Sequence, residues 1–156
     1  MLRAYLARWF RLKSRDPESL GQRGEDFAAR YLKRLGYHLV GRQVDLRVGE
    51  LDIVAVDNRA VDNSTPDRRP KDRVIVFVEV KTRTDDSAGT PAEAVDDLRQ
   101  ERMTRAALAY LKSHGLLEYP ARFDVIALTW PDGAREPTLE HFKDAFPATG
   151  RGQFFS

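Results

Sequence analysis

The stretch Arg73–Lys81, RVIVFVEVK, constrains this chain more than any other. It is too apolar for the edge of a sheet and belongs at a centre covered on both faces. Side chains alternate along a strand, so Val74, Val76, Val78 and Val80 share one face, and Ile75, Phe77, Glu79 and Lys81 share the other. A carboxylate and an ammonium thus stand two residues apart at the end of a central apolar strand. Burying either alone costs several kcal/mol, so each needs a partner or a ligand. The plain alternative is a frayed strand end, with Glu79 and Lys81 paired to solvent or to each other.

Asp52 strengthens the ligand reading. It lies in a second extended segment, Leu51–Asp57, LDIVAVD, just after a turn around Gly49. Its period-two companions are Val54 and Val56, so it too occupies an otherwise apolar face, with Glu50 beside it. Two carboxylates from adjacent strands, next to a lysine, form a hard oxygen-rich pocket suited to Mg²⁺ or Mn²⁺. Such a cation polarises a phosphoryl oxygen and activates water, while a lysine offsets charge in the transition state. This is minimal equipment for hydrolysing a phosphodiester.

Around these strands the chain reads helix, three strands, helix, strand, short strand. The first helix runs from about Leu20 to Leu35, with Ser19 and Gln22 spaced as a capping box and Gly36 as the stop. Leu20, Phe27, Ala28, Tyr31 and Leu35 form its apolar stripe, and Glu25 lies at the stripe's edge. His38–Val44 is the next strand. A second helix begins either at Thr90-Pro91-Ala92-Glu93 or nearer Asp96 and continues through Met103, Ala107 and Leu111. Phe123–Trp130 is a strand closed by Pro131-Asp132-Gly133, and a short extended piece follows at Thr138–Phe142. A helical crossover between strands implies parallel pairing, so the fold class is α/β with a mixed central sheet flanked by helices. Residues 1–19 read as a basic amphipathic extension and 20–146 as one domain. Within it, 58–73 is a charged flexible insertion, and 147–156 form a loose tail.

Composition removes several chemistries. The chain has 42% hydrophobic and 32% charged residues, an ordinary globular balance. It has no cysteine, which excludes a disulfide scaffold, a thiolate zinc site and a cysteine nucleophile. His38, His114 and His141 lack ligand-like spacing, and neither a phosphate loop nor a dinucleotide fingerprint is present. No apolar run approaches the roughly 18 residues that cross a bilayer, and arginines interrupt the first segment too often for a secretory signal. A cytoplasmic protein is expected. Arg3, Arg8, Arg11, Lys13 and Arg15 leave the remainder slightly acidic. That pattern suits carboxylates holding a metal and basic segments touching phosphates elsewhere.

The ordered elements GELD (49–52), FVEVKTR (77–83) and a helix beginning near Leu98-Arg99-Gln100 resemble the PD-(D/E)XK nuclease superfamily. More closely, the chain is similar to the YraN family, also called UPF0102, over roughly residues 21–146. The similarity includes GQRGEDFAARYLKRLGY, AVDDLRQERMTRAALAYL, RFDVIAL and DAF. It implies a restriction-endonuclease-like core and a metal-dependent endonuclease acting on DNA, with branched or damaged structures among the expected substrates. It also implies that Asp52 and Glu79 bind the cation, with the Val80 carbonyl as a further ligand. Lys81 becomes the lysine of the E-x-K element, Glu25 completes the acidic cluster, and Gln100 is a polar residue beside the site. Glu25 has a competing reading as a first-turn glutamate favoured by the helix dipole, and Gln100 as a loop cap. Arg83, Arg99 and Arg102 are expected contacts to nucleic acid, and Arg99 stands where the family commonly has lysine. Arg68, Arg69, Lys71 and Arg73 are further candidates. The rival function is a non-catalytic nucleic-acid-binding module that keeps the fold. A protein-interaction scaffold built on Leu2, Leu6, Trp9 and Phe10 ranks last. Branch recognition is easier for a homodimer, though no residue specifies one.

Overall fold

The computed structural model describes residues 19–58, 73–85 and 95–149. The basic extension before Ser19, residues 59–72 of the insertion, the cap candidate Thr90–Glu93 and the tail from Gly150 lie outside the described residues. The elements are α1 (Leu20–Arg34), β1 (His38–Leu46), β2 (Gly49–Asp57), β3 (Val74–Arg83), α2 (Asp97–Ser113), β4 (Ala121–Thr129) and β5 (Thr138–Phe146).

The apolar run expected at the centre is there. The five strands follow chain order across the sheet, with β3 in the middle. The pair β3 and β4, joined through α2, is parallel, and the other three pairs are antiparallel. Alternation along β3 divides the core as its sequence requires. Ile75 and Phe77 pack under α2 against Met103, Ala107 and Tyr110. Val76 and Val78 pack under α1 against Ala28, Ala29 and Leu32. The protein is an α/β sandwich with a mixed central sheet and a helix on each face, consistent with a restriction-endonuclease-like core. Among the described residues, no helix is long and apolar enough to cross a membrane.

Local signals fix the helix ends. The Ser19 hydroxyl accepts a hydrogen bond from the Gln22 N–H at 3.2 Å, one half of the expected capping box. The Gln22 side chain does not return to Ser19. Its carbonyl oxygen accepts from Gln43 Nε2 at 2.7 Å instead. Gly36, at φ 91°, adopts the left-handed conformation that ends a helix. For α2, the two possible starts resolve to Asp96, whose carboxylate accepts the Arg99 N–H at 2.8 Å.

The buried stripe of α1 and the ends of two strands differ from the expectation. The buried stripe of α1 is Gly24, Ala28, Ala29 and Leu32, with Phe27 and Tyr31 only half-buried at its flank. The smallest residues face the sheet, which lets the helix come close. β1 continues to Leu46, and only Arg47 and Val48 separate it from β2. β5 reaches Phe146 rather than stopping at Phe142. Its register against β4 shifts between Phe123 and Val125, and Asp144 takes a left-handed φ of 51°. This bulge absorbs the polar pair Lys143-Asp144, which breaks alternation in the sequence.

Close approach of α1 to β3 sets up the site. A Cβ built on Gly24 would lie 1.8 Å from Thr82 Oγ1 and 2.9 Å from its Cβ. Gly24→Ala therefore has to push the helix off the strand. We expect it to destabilise the protein by about 1–3 kcal/mol, although alanine is the better helix former by about 1 kcal/mol. Urea unfolding checks this, and a neutral or stabilising result would show that the contact relaxes freely.

At the other end of the sheet from Asp52 sits a buried polar network. Arg122 Nε donates to Asp124 Oδ1 at 2.9 Å, and its Nη2 reaches Asp57 and the Tyr37 hydroxyl, each at 3.0 Å. His141 Nε2 lies 2.8 Å from Asp124 Oδ2, and the Asp144 N–H donates to Asp124 Oδ1 at 3.0 Å. The network holds β2, β4 and β5 together and pins the β5 bulge.

Candidate active site

The strands β2 and β3 pair from Asp57 opposite Val74 to Ile53 opposite Val78, and their ladder ends there. Beyond that point the Val80 N–H, which a continued ladder would use, donates instead to Asp52 Oδ2 at 2.8 Å. The alternation of β2 also breaks here. Leu51 and Val54, an odd number of residues apart, pack in the same cluster under α2, while Ile53 and Ala55 face α1. Asp52 lies at this break, where the two strands part.

Glu79 is 1% exposed and fully engaged. Arg99 grips it from the first turn of α2, with Nε 3.0 Å from Oε1 and Nη2 3.1 Å from Oε2. Lys81 Nζ lies 3.3 Å from Oε1, and its side chain is 33% exposed. Glu79 is therefore neither frayed nor solvated, and its charge is balanced by two cations. Asp52 is 9% exposed, and among the described residues no lysine or arginine forms an ion pair with it. Burial, followed by repulsion from Glu79, pushes its carboxyl up to about 7, against the lowering influence of the Val80 N–H. Glu25 adds to that repulsion, and Arg99 opposes it.

The sequence-derived residues do not all meet in one place. Asp52, Glu79, Val80 and Lys81 come together as expected, at the ends of adjacent strands. Glu25 is close enough to act on Asp52 through its charge, while its Oε2 accepts from Gln43 Nε2 at 2.9 Å. Gln100 takes the loop-capping role, since its Nε2 donates to the Val95 carbonyl at 2.9 Å. Arg99 is part of the site itself. Arg102 and Glu50 lie in an adjoining cleft. The Arg83 carbonyl, two residues past Lys81 at the C-terminal end of β3, accepts the Trp130 N–H at 2.7 Å. Arg68, Arg69 and Lys71 lie outside the described residues, and Arg73 is exposed at the start of β3.

Gln43 was missed. It lies on β1 between the register pairs Arg42–Ile53 and Val44–Leu51, across from Asp52, with a left-handed φ of 46°. Its amide ties Gln22 and Glu25 of α1 to the sheet edge. A non-glycine residue held there costs on the order of 1–3 kcal/mol, and such strain clusters at functional sites. Nothing in the local sequence signals it, because glutamine has no special tendency to this conformation.

The protein thus has an α/β core in which two buried carboxylates and a lysine stand where its central strands part. The family is shown by sequence. The chain matches the profile of "Uncharacterised protein family UPF0102" over residues 24–128 and belongs to that family. It is 44% identical to a UPF0102 protein of Geobacter sulfurreducens over 129 residues, 81% of this chain and 88% of that protein. It is 42% identical to one of Rhodopirellula baltica over 137 residues, 87% of this chain and 75% of that protein. A UPF0102 protein of Geotalea uraniireducens is 41% identical over 131 residues, 84% of this chain and 91% of its own length.

Proposed function

We propose that the protein is a metal-dependent endonuclease hydrolysing phosphodiester bonds in nucleic acid, with DNA as the expected substrate. One observation carries the reading. Two nearly buried carboxylates, Asp52 and Glu79, meet where β2 and β3 separate, and among the described residues Asp52 has no ion-pair partner. Evolution of a purely structural core has no use for such an arrangement, because the desolvation works against folding.

The donor chemistry fits a hard divalent cation. Carboxylate oxygens of Asp52 and Glu79 would hold Mg²⁺ or Mn²⁺, with the Val80 carbonyl as a further oxygen. Among the described residues, no group of three or more His, Asp or Glu side chains is arranged to hold a metal, and Glu25 acts on Asp52 through its charge. A bound cation supplies Lewis acidity at the phosphoryl group and lowers the pKa of water. The chain's own residues do the rest. Lys81 presents a partly exposed ammonium beside Glu79, where it neutralises charge developing on the phosphoryl oxygens. Arg99 balances the charge of Glu79, a role that a bound cation would share.

The test is cleavage of labelled single-stranded, duplex, flap and four-way-junction DNA and of RNA, in Mn²⁺, Mg²⁺ or EDTA. Wild type should cleave at least one substrate only with metal, and Glu79→Gln should lose about 100-fold or more of that rate. Lys81→Ala should fall by a similar factor while still binding the substrate. Tight binding with no cleavage under either metal would instead support the non-catalytic module. The Arg99 grip on Glu79 is the observation that favours that second reading.

A further inference from the structure

A cleft of about 400 Å³ opens between the β1–β2 turn and the first turns of α2, next to the carboxylate pair. Asp45, Arg47 and Glu50 line it from the hairpin, and Arg99, Arg102 and Met103 from the helix. Arg47 and Arg102 are exposed and make no ion pair among the described residues. Their charges are matched within the cleft by Asp45 and Glu50.

Arg99 belongs to both places. It lines the cleft while its guanidinium holds both oxygens of Glu79, and its side chain is 36% exposed. With Arg99 engaged by Glu79, the cleft is close to neutral and has little attraction for an anion. A divalent cation at Glu79 repels the guanidinium and takes over its role as counter-charge. Arg99 is then free to turn into the cleft, which becomes net positive. A guanidinium fork suits this exchange, since it matches the geometry of a phosphate as well as that of a carboxylate. An ammonium would bind either one as a point charge.

Resting on the nuclease reading above, we propose that this cleft binds backbone phosphates of the nucleic acid, and that a divalent cation switches it on by displacing Arg99 from Glu79. Arg47 and Arg102 supply guanidinium groups whose charge Asp45 and Glu50 offset, and Arg99 supplies the conditional excess. Linkage makes the effect reciprocal, so bound nucleic acid tightens the cation by the same factor.

The experiment uses the full chain. Anisotropy of a fluorescein-labelled DNA oligonucleotide is measured in Ca²⁺ or EDTA at constant ionic strength, and Ca²⁺ alone is titrated by calorimetry. Wild type should bind DNA about fivefold tighter or more in Ca²⁺. Arg99→Gln should bind Ca²⁺ at least as tightly as wild type, because its competitor is gone, yet lose most of the Ca²⁺-induced gain in DNA affinity. Arg102→Gln, on the surface and without a folding role, should weaken DNA binding and reduce the salt slope by roughly one. Arg99→Gln keeping the full gain, or binding Ca²⁺ more weakly, would overturn the exchange. So would an unchanged salt slope in Arg102→Gln. Wild type binding no Ca²⁺ would remove the nuclease reading itself, whereas intact Ca²⁺ binding with an unaltered gain would remove the cleft proposal alone.

Discussion

Replacing Asp52 with asparagine is expected to abolish metal-dependent cleavage and, in the same variant, to stabilise the metal-free fold above neutral pH. On the proposed function, the variant loses one of the two carboxylates that would hold the cation, and the fall in activity should reach about 100-fold or more. The gain in stability follows from the carboxyl being pushed up from 3.8 to about 7 in the folded protein, first by burial and then by Glu79. An unfolded chain gives up this proton near pH 4, while the native state keeps it until about pH 7. Over that window the native state binds more protons, so stability falls as pH rises. Above it, folding carries the full cost of a buried, repelled charge. Asparagine carries none of that charge, and its oxygen can still accept the Val80 N–H. In EDTA the variant should match wild type near pH 4 and exceed it by about 2–4 kcal/mol at pH 8, read from urea unfolding. A difference independent of pH, or a less stable variant, would mean that Asp52 is satisfied in the native state and is not held ready for a ligand.

The second large effect has the opposite sign. Asp124 is 0% exposed. Burial alone would raise its carboxyl, but hydrogen bonds from His141, Arg122 and the Asp144 N–H outweigh burial and hold it below the ordinary carboxylate range. Its stabilisation is therefore fully present above the unfolded-state pKa and disappears as pH falls through the lowered native value. Asp124→Ala leaves Arg122 and His141 short of a partner and releases the β5 bulge. Removing one member of such a buried set costs about 3–5 kcal/mol. Urea unfolding at pH 7 should show that loss, and the variant's acid unfolding should be flatter than that of wild type. A loss below about 1 kcal/mol would reduce the network to a peripheral ornament of the sheet.

These two aspartates are chemically identical and both stand on apolar strands, so their sequences do not separate them. LDIVAVD and RFDVIAL each place a carboxylate beside aliphatic neighbours. The difference arises from what the fold delivers to them. Asp124 receives Arg122 from its own strand, His141 and Asp144 from β5. Asp52 receives one backbone N–H and a second carboxylate. Apart from Arg122, two residues from Asp124, the partners that distinguish them lie 17 to 28 residues away in sequence.

By itself the sequence determined whatever depends on neighbours within a turn or a strand. Period-two alternation put Glu79 and Lys81 on the same face as Ile75 and Phe77, and the uniform apolarity of β3 put it at the centre. Ser19, Gly36 and Asp96 marked helix ends through chemistry that acts over a few residues, although the choice between Thr90 and Asp96 needed the structure. Long-range packing sets where alternation fails at Asp52, holds Gln43 in a left-handed conformation opposite it, brings Arg99 onto Glu79, and lets Gln100 cap a loop. Each of these depends on where two strands part or on which helix end arrives above them. Such contacts form between distant segments only after the core has packed, so no local pattern encodes them.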